Sequence, residues 1–128
     1  MKFPEELLYS ESHEWIKEEG SMVTMGLTDY AQSELKDIVY VELPELGSDF
    51  KKGESMGVVE SVKTVADIFA PITGKVVKTN LTLKDHPQWV NEDPYGKGWM
   101  VTLETQDGGE LKTLLSSKAY LESLPKEA

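Results

Sequence analysis

The sequence alternates apolar and polar residues over several short segments, and a period of two is typical of β-strands with one buried face. The alternation is clearest in residues 21–27, 37–43 and 99–104. We expect three buried faces here, formed by Val23, Met25 and Leu27, by Val39, Val41 and Leu43, and by Trp99, Val101 and Leu103. The pattern predicts a mainly β protein.

Four further short segments have strand character, and turn residues separate them closely: 13–17, 56–61, 64–69 and 75–78. Seven or so short strands predict a β-sandwich or β-barrel. Helices are few. We expect helices at 28–35 and 116–124, where the first residue of each range, a Thr or a Ser, can cap the N-terminus. A further helical turn is expected between 85 and 91.

Length and charge narrow the class of protein further. With 128 residues the chain has room for one domain, and 23 acidic against 13 basic residues give a net charge of −10. So acidic a surface repels nucleic acids and anionic membranes, which leaves proteins with basic docking surfaces as partners. No leader or membrane-spanning stretch is recognisable, so we expect a cytoplasmic protein or a mature organellar one.

The residues that usually perform catalysis form no recognisable active site. There is no cysteine, which removes thiol nucleophiles and thiolate metal sites. His13 and His86 lie outside any metal-ligand spacing, and we expect both to be structural. The sequence therefore predicts neither catalytic residues nor a metal site, and any redox or thiol chemistry must come from an attached group.

One loop breaks the usual rules for turns. Only Val62 and Lys63 separate the strand candidates 56–61 and 64–69. A two-residue hairpin loop normally needs positive φ, which a β-branched valine disfavours. Three interpretations stay open from the residues alone: an ordinary surface lysine, an uninterrupted strand, or a lysine presented at a hairpin tip for acylation.

Four stretches match one known family in order and spacing. The strongest is residues 53–77, with Glu60-Ser61-Val62-Lys63 intact and an Ala-Pro-x-x-Gly turn at residues 70–74. The others are 13–15, then 26–32 leading into 37–39, then 90–96 with Gly98-Trp99. On these motifs the chain resembles the H proteins of the glycine cleavage system, which carry lipoate.

The resemblance implies a single lipoyl-carrier domain over 1–128, with a lipoyl-domain-like core at about 21–104 and a C-terminal helix at about 116–124. The implied fold is a flattened β-barrel, or barrel-sandwich hybrid, with short peripheral helices. Lipoate would be joined by an amide to Lys63, on an arm that reaches roughly 14 Å from the lysine Cα. The protein would be a carrier of aminomethyl groups and not an enzyme, and its dithiolane would supply the sulfur chemistry that the chain lacks.

The resemblance also implies four partners, and a monomer that visits the first three of them in turn is the simplest expectation. These are the pyridoxal-phosphate-dependent glycine decarboxylase (P protein), the tetrahydrofolate-dependent aminomethyltransferase (T protein), dihydrolipoyl dehydrogenase (L protein) and a lipoyl-attaching enzyme. Residues matching Ser12, Glu14 and Asp67 line the cleft where the family's loaded arm rests, so we expect these three to hold the cationic cargo.

The departures from the family pattern are few. Lys36 stands where glycine is common at a helix end, and a non-glycine residue in left-handed backbone there costs about 1 kcal/mol. Ala66 and Trp89 replace a frequent serine and leucine. None of the three lies in the lysine motif.

Two alternatives with a carrier lysine stay open. A biotin carrier uses a similar hairpin, but its lysine usually lies between methionines, whereas Val62 and Thr64 flank Lys63. The second is a relay that passes lipoyl groups to other enzymes in lipoate metabolism, which the sequence separates poorly from glycine cleavage. A purely structural or adaptor protein is a third alternative.

Overall fold

Nine short strands and a few helical turns make up the described part of the protein. The computed structural model describes residues 1–106 and 108–125, so Asp107 and residues 126–128 of the predicted domain lie outside it. The strands are β1 (Leu8–Tyr9), β2 (Glu14–Glu19), β3 (Met22–Leu27), β4 (Ile38–Glu42), β5 (Asp49–Phe50), β6 (Ser55–Ser61), β7 (Val65–Phe69), β8 (Gly74–Thr79) and β9 (Val101–Thr105).

The helices are short and lie between or after the strands. They are α1 (Asp29–Leu35), α2 (Trp89–Glu92) and α3 (Ser117–Ser123), with 3₁₀ segments at Leu81–Lys84 and Gly108–Thr113. Thr28 and Ser116 cap α1 and α3 by accepting a hydrogen bond from the backbone N–H three residues later, as their positions predict. No helix in the described ranges is both long and apolar enough to cross a bilayer.

The strands form two antiparallel sheets. Six strands pair in the order β1-β2-β3-β9-β8-β5, and three pair in the order β4-β6-β7. The β2–β3 hairpin turns through a two-residue loop in which Gly20 has a φ of 63°, a conformation that favours glycine. The smaller sheet contains the β6–β7 hairpin that carries Lys63.

The main core is apolar and draws on both sheets. Ile16, Val23 and Met25 from the larger sheet cluster with Val59 and Ile68 from the smaller one, and all five are fully buried. A second, smaller cluster joins the N-terminal segment to α3: Leu7, Tyr9, Trp15 and Tyr120, with the rings of Tyr9 and Tyr120 stacked at 4.8 Å. The hairpin with Lys63 is therefore fixed at its base by core packing on β6 and β7.

The buried face predicted for β4 is partly wrong. Val41 is fully buried, but Val39 is 53% exposed and Ile38 is buried in its place. The pairing of β4 with β6 shifts between Ile38 and Tyr40, and one extra residue in a strand reverses the side chains that precede it. The bulge therefore turns Val39 to the surface.

The strand predicted at 99–104 begins later than expected. Trp99 precedes β9, and Met100, Val101, Thr102 and Leu103 are all buried. Thr102 is satisfied by a 2.9 Å hydrogen bond between its hydroxyl and that of Thr24 on β3. Side chains on both faces of β9 are thus buried over its first residues. The alternation of buried and exposed residues predicted for this strand therefore does not hold there. The two-residue strands β1 and β5 were not predicted.

Candidate functional site

Lys63 lies at the tip of the β6–β7 hairpin. The last paired residues are Glu60 and Val65, and the loop across the tip contains Val62, Lys63 and Thr64. The lysine is exposed, and its amine has one contact, with the carbonyl oxygen of Glu34 at 3.4 Å. In the described part of the chain it forms no ion pair, so the amine is accessible.

The described residues of the loop reach the turn without positive φ, so the usual requirement of a two-residue hairpin does not apply to them. The non-glycine residues with positive φ are His13 and Lys36, and neither is in the loop. The hydroxyl of Ser61 instead accepts hydrogen bonds from the backbone N–H groups of Lys63 and Thr64, at 3.1 and 3.0 Å. This side chain does what a glycine turn usually does, so Val62 causes no strain.

The loop is also tied to a neighbouring segment. The N–H of Val62 donates to the carbonyl oxygen of Asp37 at 3.0 Å, just before β4 begins. Together with the Lys63–Glu34 contact, this bond joins the lysine loop to the connection between α1 and β4. The orientation of the lysine therefore depends on a part of the chain outside its own hairpin.

Exposed apolar side chains lie on both sides of the lysine, which the sequence patterns did not predict. Val62 and Val65 are 68% and 60% exposed, and Val39 and Tyr40 on the neighbouring strand are also exposed. Tyr40 and Val65 are both paired with Glu60, so they lie on either side of β6 near the loop. A partner that reaches the lysine therefore contacts this apolar surface together with the acidic Glu60.

Glu14 is a fully buried carboxylate on β2. Its Oε1 accepts hydrogen bonds from the hydroxyls of Ser10 and Ser12, at 2.5 and 2.6 Å. Its Oε2 is buried and has no hydrogen-bond partner among the described residues. Burial raises the pKa of Glu14, and the hydroxyls of Ser10 and Ser12, together with the backbone N–H of Phe69, oppose that rise by stabilising the charged form.

His13 holds the segment before Glu14 in place. It has a φ of 71°, and its carbonyl oxygen accepts a hydrogen bond from the N–H of Thr28 at 3.1 Å. Its Nδ1 lies 2.8 Å from the hydroxyl of Tyr120. Burial lowers the pKa of His13, which favours the neutral ring. These contacts are typical of a structural histidine. The stacking of the His86 ring on that of Trp89 is typical of one as well.

Asp67 occupies a separate position on β7. It is exposed, it pairs across the hairpin with Val58, and it accepts a hydrogen bond from the Ser55 hydroxyl at 2.9 Å. The structure therefore joins Ser12 to Glu14 directly but gives Asp67 a different partner.

A cleft lies beside these residues. It has a volume of about 510 Å³, and Ser10, Ser12, Lys52 and Phe69 are among the residues that line it. Phe69 is two residues beyond Asp67 on β7, and residues two apart on a strand share a face. Asp67 therefore lies along β7 between the lysine loop and a cleft residue.

Comparison with known proteins gives one consistent result. The family model described as "Glycine cleavage H-protein" matches residues 7–127. The glycine cleavage system H protein of Bacillus licheniformis is 54% identical over 127 residues, covering 99% of each chain, and that of Anaeromyxobacter sp. (strain K) is 52% identical over 120 residues, covering 94% of each.

A solved structure agrees with these relatives. The crystal structure of a glycine cleavage system H protein from Mycobacterium marinum matches with a TM-score of 0.85 and 38% identity, over 93% of this chain and 96% of that one. The predicted lipoyl-domain-like barrel-sandwich with short helices is thereby confirmed. The chain belongs to the glycine cleavage H-protein family, whose members are the lipoate carriers of that system.

Proposed function

We propose that this chain carries lipoate in amide linkage to Lys63 and transports the aminomethyl group of glycine between enzymes. It takes the group from the pyridoxal-phosphate-dependent decarboxylase and delivers it to the tetrahydrofolate-dependent aminomethyltransferase. Dihydrolipoyl dehydrogenase then restores the oxidised cofactor, and a lipoyl-attaching enzyme installs it. The chain itself performs no catalysis in this scheme.

The observation that carries the proposal is the presentation of Lys63. Its side chain is exposed at a hairpin tip, and its backbone is held by the hydroxyl of Ser61. Among the described residues, its amine contacts one carbonyl oxygen, that of Glu34. An amine in this position is open to acylation without the loss of an ion pair. The lysine therefore fits the group that the family carries.

Acylation changes the lysine in a way that suits a carrier. A free lysine amine is cationic at neutral pH, whereas its amide is neutral, so the chain becomes one unit more negative than its formal charge of −10. The side chain can then lie against apolar residues such as Val65 without the cost of desolvating an ammonium. The dithiolane supplies the sulfur chemistry and the two-electron redox change.

We further propose that Ser12, Glu14 and Asp67 hold the aminomethyl cargo between enzymes. The cargo is cationic, and the buried Oε2 of Glu14, which lacks a partner in the described ranges, is an acceptor for it. Asp67 is four residues beyond Lys63, at most about 14 Å along an extended chain, which matches the reach of the arm. Exclusion from water there protects a group that water would hydrolyse to ammonia and formaldehyde.

The carrier role is tested by Lys63→Arg, which keeps the charge but offers no amine for the amide. Lys75→Arg, at an exposed lysine on β8, is the matched control. After treatment with a lipoate ligase, each variant is mixed with the three partner enzymes, and glycine-dependent reduction of NAD is measured. The control should be active and Lys63→Arg inactive but folded. Activity of Lys63→Arg equal to that of the control would refute the assignment.

The cleft is tested separately, with isolated protein that carries the aminomethyl group. Glu14→Ala and Asp67→Ala should leave lipoylation intact and release formaldehyde faster. A lost charge-assisted contact of about 1–2 kcal/mol gives roughly a five- to thirtyfold faster release. Glu122→Ala, at an exposed acid on α3, is the control. Release at the control rate from both variants would remove the cleft assignment and leave the carrier role standing.

A further inference from the structure

The connection between α1 and β4 contacts the lysine loop through its backbone. We call residues 34–38 the junction. It touches the loop at two points: the carbonyl oxygen of Asp37 accepts a hydrogen bond from the N–H of Val62, and that of Glu34 lies 3.4 Å from the amine of Lys63. Any movement of the junction therefore moves the lysine loop.

The junction does not hold its shape by backbone preference. Its Lys36 has a φ of 68° and a ψ of −154°, a region that is essentially restricted to glycine. The preceding helix α1 has only seven residues, and such a short helix is stabilised mainly by its tertiary contacts. Something outside the junction must keep it in this conformation.

One side chain on α2 makes the required contacts. Asn91 Nδ2 donates to the carbonyl oxygen of Lys36 at 2.8 Å and to Gln32 Oε1 at 3.0 Å, and Asn91 Oδ1 accepts from the N–H of Ile38 at 2.9 Å. The three bonds therefore hold α1 at Gln32, the strained backbone at Lys36 and the start of β4 at Ile38. The fully buried Val90 beside Asn91 anchors α2 in the core.

We propose that Asn91 is a positioning residue for the modification of Lys63. It fixes the junction, the junction fixes the lysine loop through Asp37 and Glu34, and the loop presents the amine to the lipoyl-attaching enzyme. Within the described ranges Asn91 forms no hydrogen bond with the lysine or its loop, so it acts through the backbone of the junction. The inference rests on the proposed acylation of Lys63 and adds a residue to it.

The kinetic consequence follows from the fraction of molecules with a positioned loop. An enzyme that binds only the positioned loop has an apparent affinity reduced in proportion to that fraction, whereas turnover of the bound complex is unaffected. Asn91→Ala removes three hydrogen bonds at once, each worth several-fold in the equilibrium, so the positioned loop becomes a minority. We expect KM for the carrier to rise at least about threefold, with kcat unchanged.

Two variants separate the contacts. Asn91→Ala removes all three, whereas Asn91→Asp keeps the acceptor for Ile38 and places an oxygen against the carbonyl of Lys36. The matched control is Asn80→Ala. Asn80 is buried, and its Nδ2 also donates to two carbonyl oxygens, those of Lys97 and Trp99, but it bonds to neither the junction nor the loop.

The first measurement uses the unmodified full-length chain and is independent of acylation. Hydrogen exchange of the Val62 amide should accelerate about five- to tenfold or more in both Asn91 variants, relative to amides of the core strands, and should not change in Asn80→Ala. The second is the rate of acylation by a lipoate ligase supplied with free lipoate and ATP, at varied carrier concentration. If Asn91→Ala does not fold, Asn91→Asp carries both measurements.

The outcomes distinguish this inference from the proposed function. Faster Val62 exchange together with a raised KM supports the positioning role. Unchanged Val62 exchange, or a KM equal to that of Asn80→Ala, overturns it even when wild-type protein is acylated normally. Failure of the wild-type chain to accept lipoate overturns the proposed function and this inference with it.

Discussion

Replacement of Lys36 by glycine should stabilise the protein by about 1 kcal/mol. The backbone of Lys36 lies at φ 68° and ψ −154°, which costs a non-glycine residue on the order of 1–3 kcal/mol. Glycine removes that cost but makes the unfolded chain more flexible, at about 0.5–1 kcal/mol. The backbone contacts of residue 36 with Gln32 and Asn91 remain, so the net change favours folding.

Lys118→Gly is the matched control for this prediction. Lys118 is exposed and lies within α3, where glycine costs about 1 kcal/mol, so the same change of residue and charge has the opposite sign. Urea unfolding gives the free energies, and thermal unfolding should show Lys36→Gly melting about 3–5 °C above wild type. A Lys36→Gly protein that is as destabilised as Lys118→Gly would refute the argument from backbone strain.

Three further predictions follow from the site. Ser61→Ala should accelerate hydrogen exchange at the amides of the lysine loop by roughly five- to tenfold, because their shared acceptor is lost, and unchanged exchange would contradict the role given to that hydroxyl. Burial raises the folded pKa of Glu14 above its ordinary 4.5, so the stability linked to its protonation is complete below that pH and is lost as pH rises through the folded pKa. In urea unfolding above about pH 5, the free energy of unfolding of Glu14→Gln should fall less steeply with pH than that of the wild type. Equal slopes in the two proteins would exclude this contribution of Glu14. Association with the decarboxylase should slow as salt rises, because salt screens the attraction exerted by the exposed Glu42, Glu45 and Asp49 beyond about 8–10 Å. Association rates independent of salt would argue against electrostatic docking.

The larger features of the fold could be predicted because they repeat along the sequence. Alternation located the main strands, and the capping residues Thr28 and Ser116 located two helices. The resemblance to the family pointed to a glycine-favouring backbone at position 36, where Lys36 has a φ of 68°. It also placed the lipoyl lysine at residue 63, which stays a prediction.

The features that were missed depend on contacts between distant segments. A bulge in β4 leaves no mark in the alternation, so Val39 was placed in the core although it is exposed. The Ser61 hydroxyl accepts hydrogen bonds from the N–H groups of Lys63 and Thr64, a serine turn that the glycine-based hairpin rule does not consider. The three bonds of Asn91 join elements far apart in sequence, and the orphaned oxygen of Glu14 results from tertiary packing; periodicity has no information on either.

Mass spectrometry of the protein after treatment with a lipoate ligase, lipoate and ATP tests the central claim most directly. Intact mass counts the groups attached, and peptide mapping identifies the residue that carries them. We predict one lipoyl group per chain, on the peptide that contains Lys63, and no modification of Lys63→Arg. A lipoyl group on any of the other lysines, or an unmodified wild-type chain, would contradict this prediction.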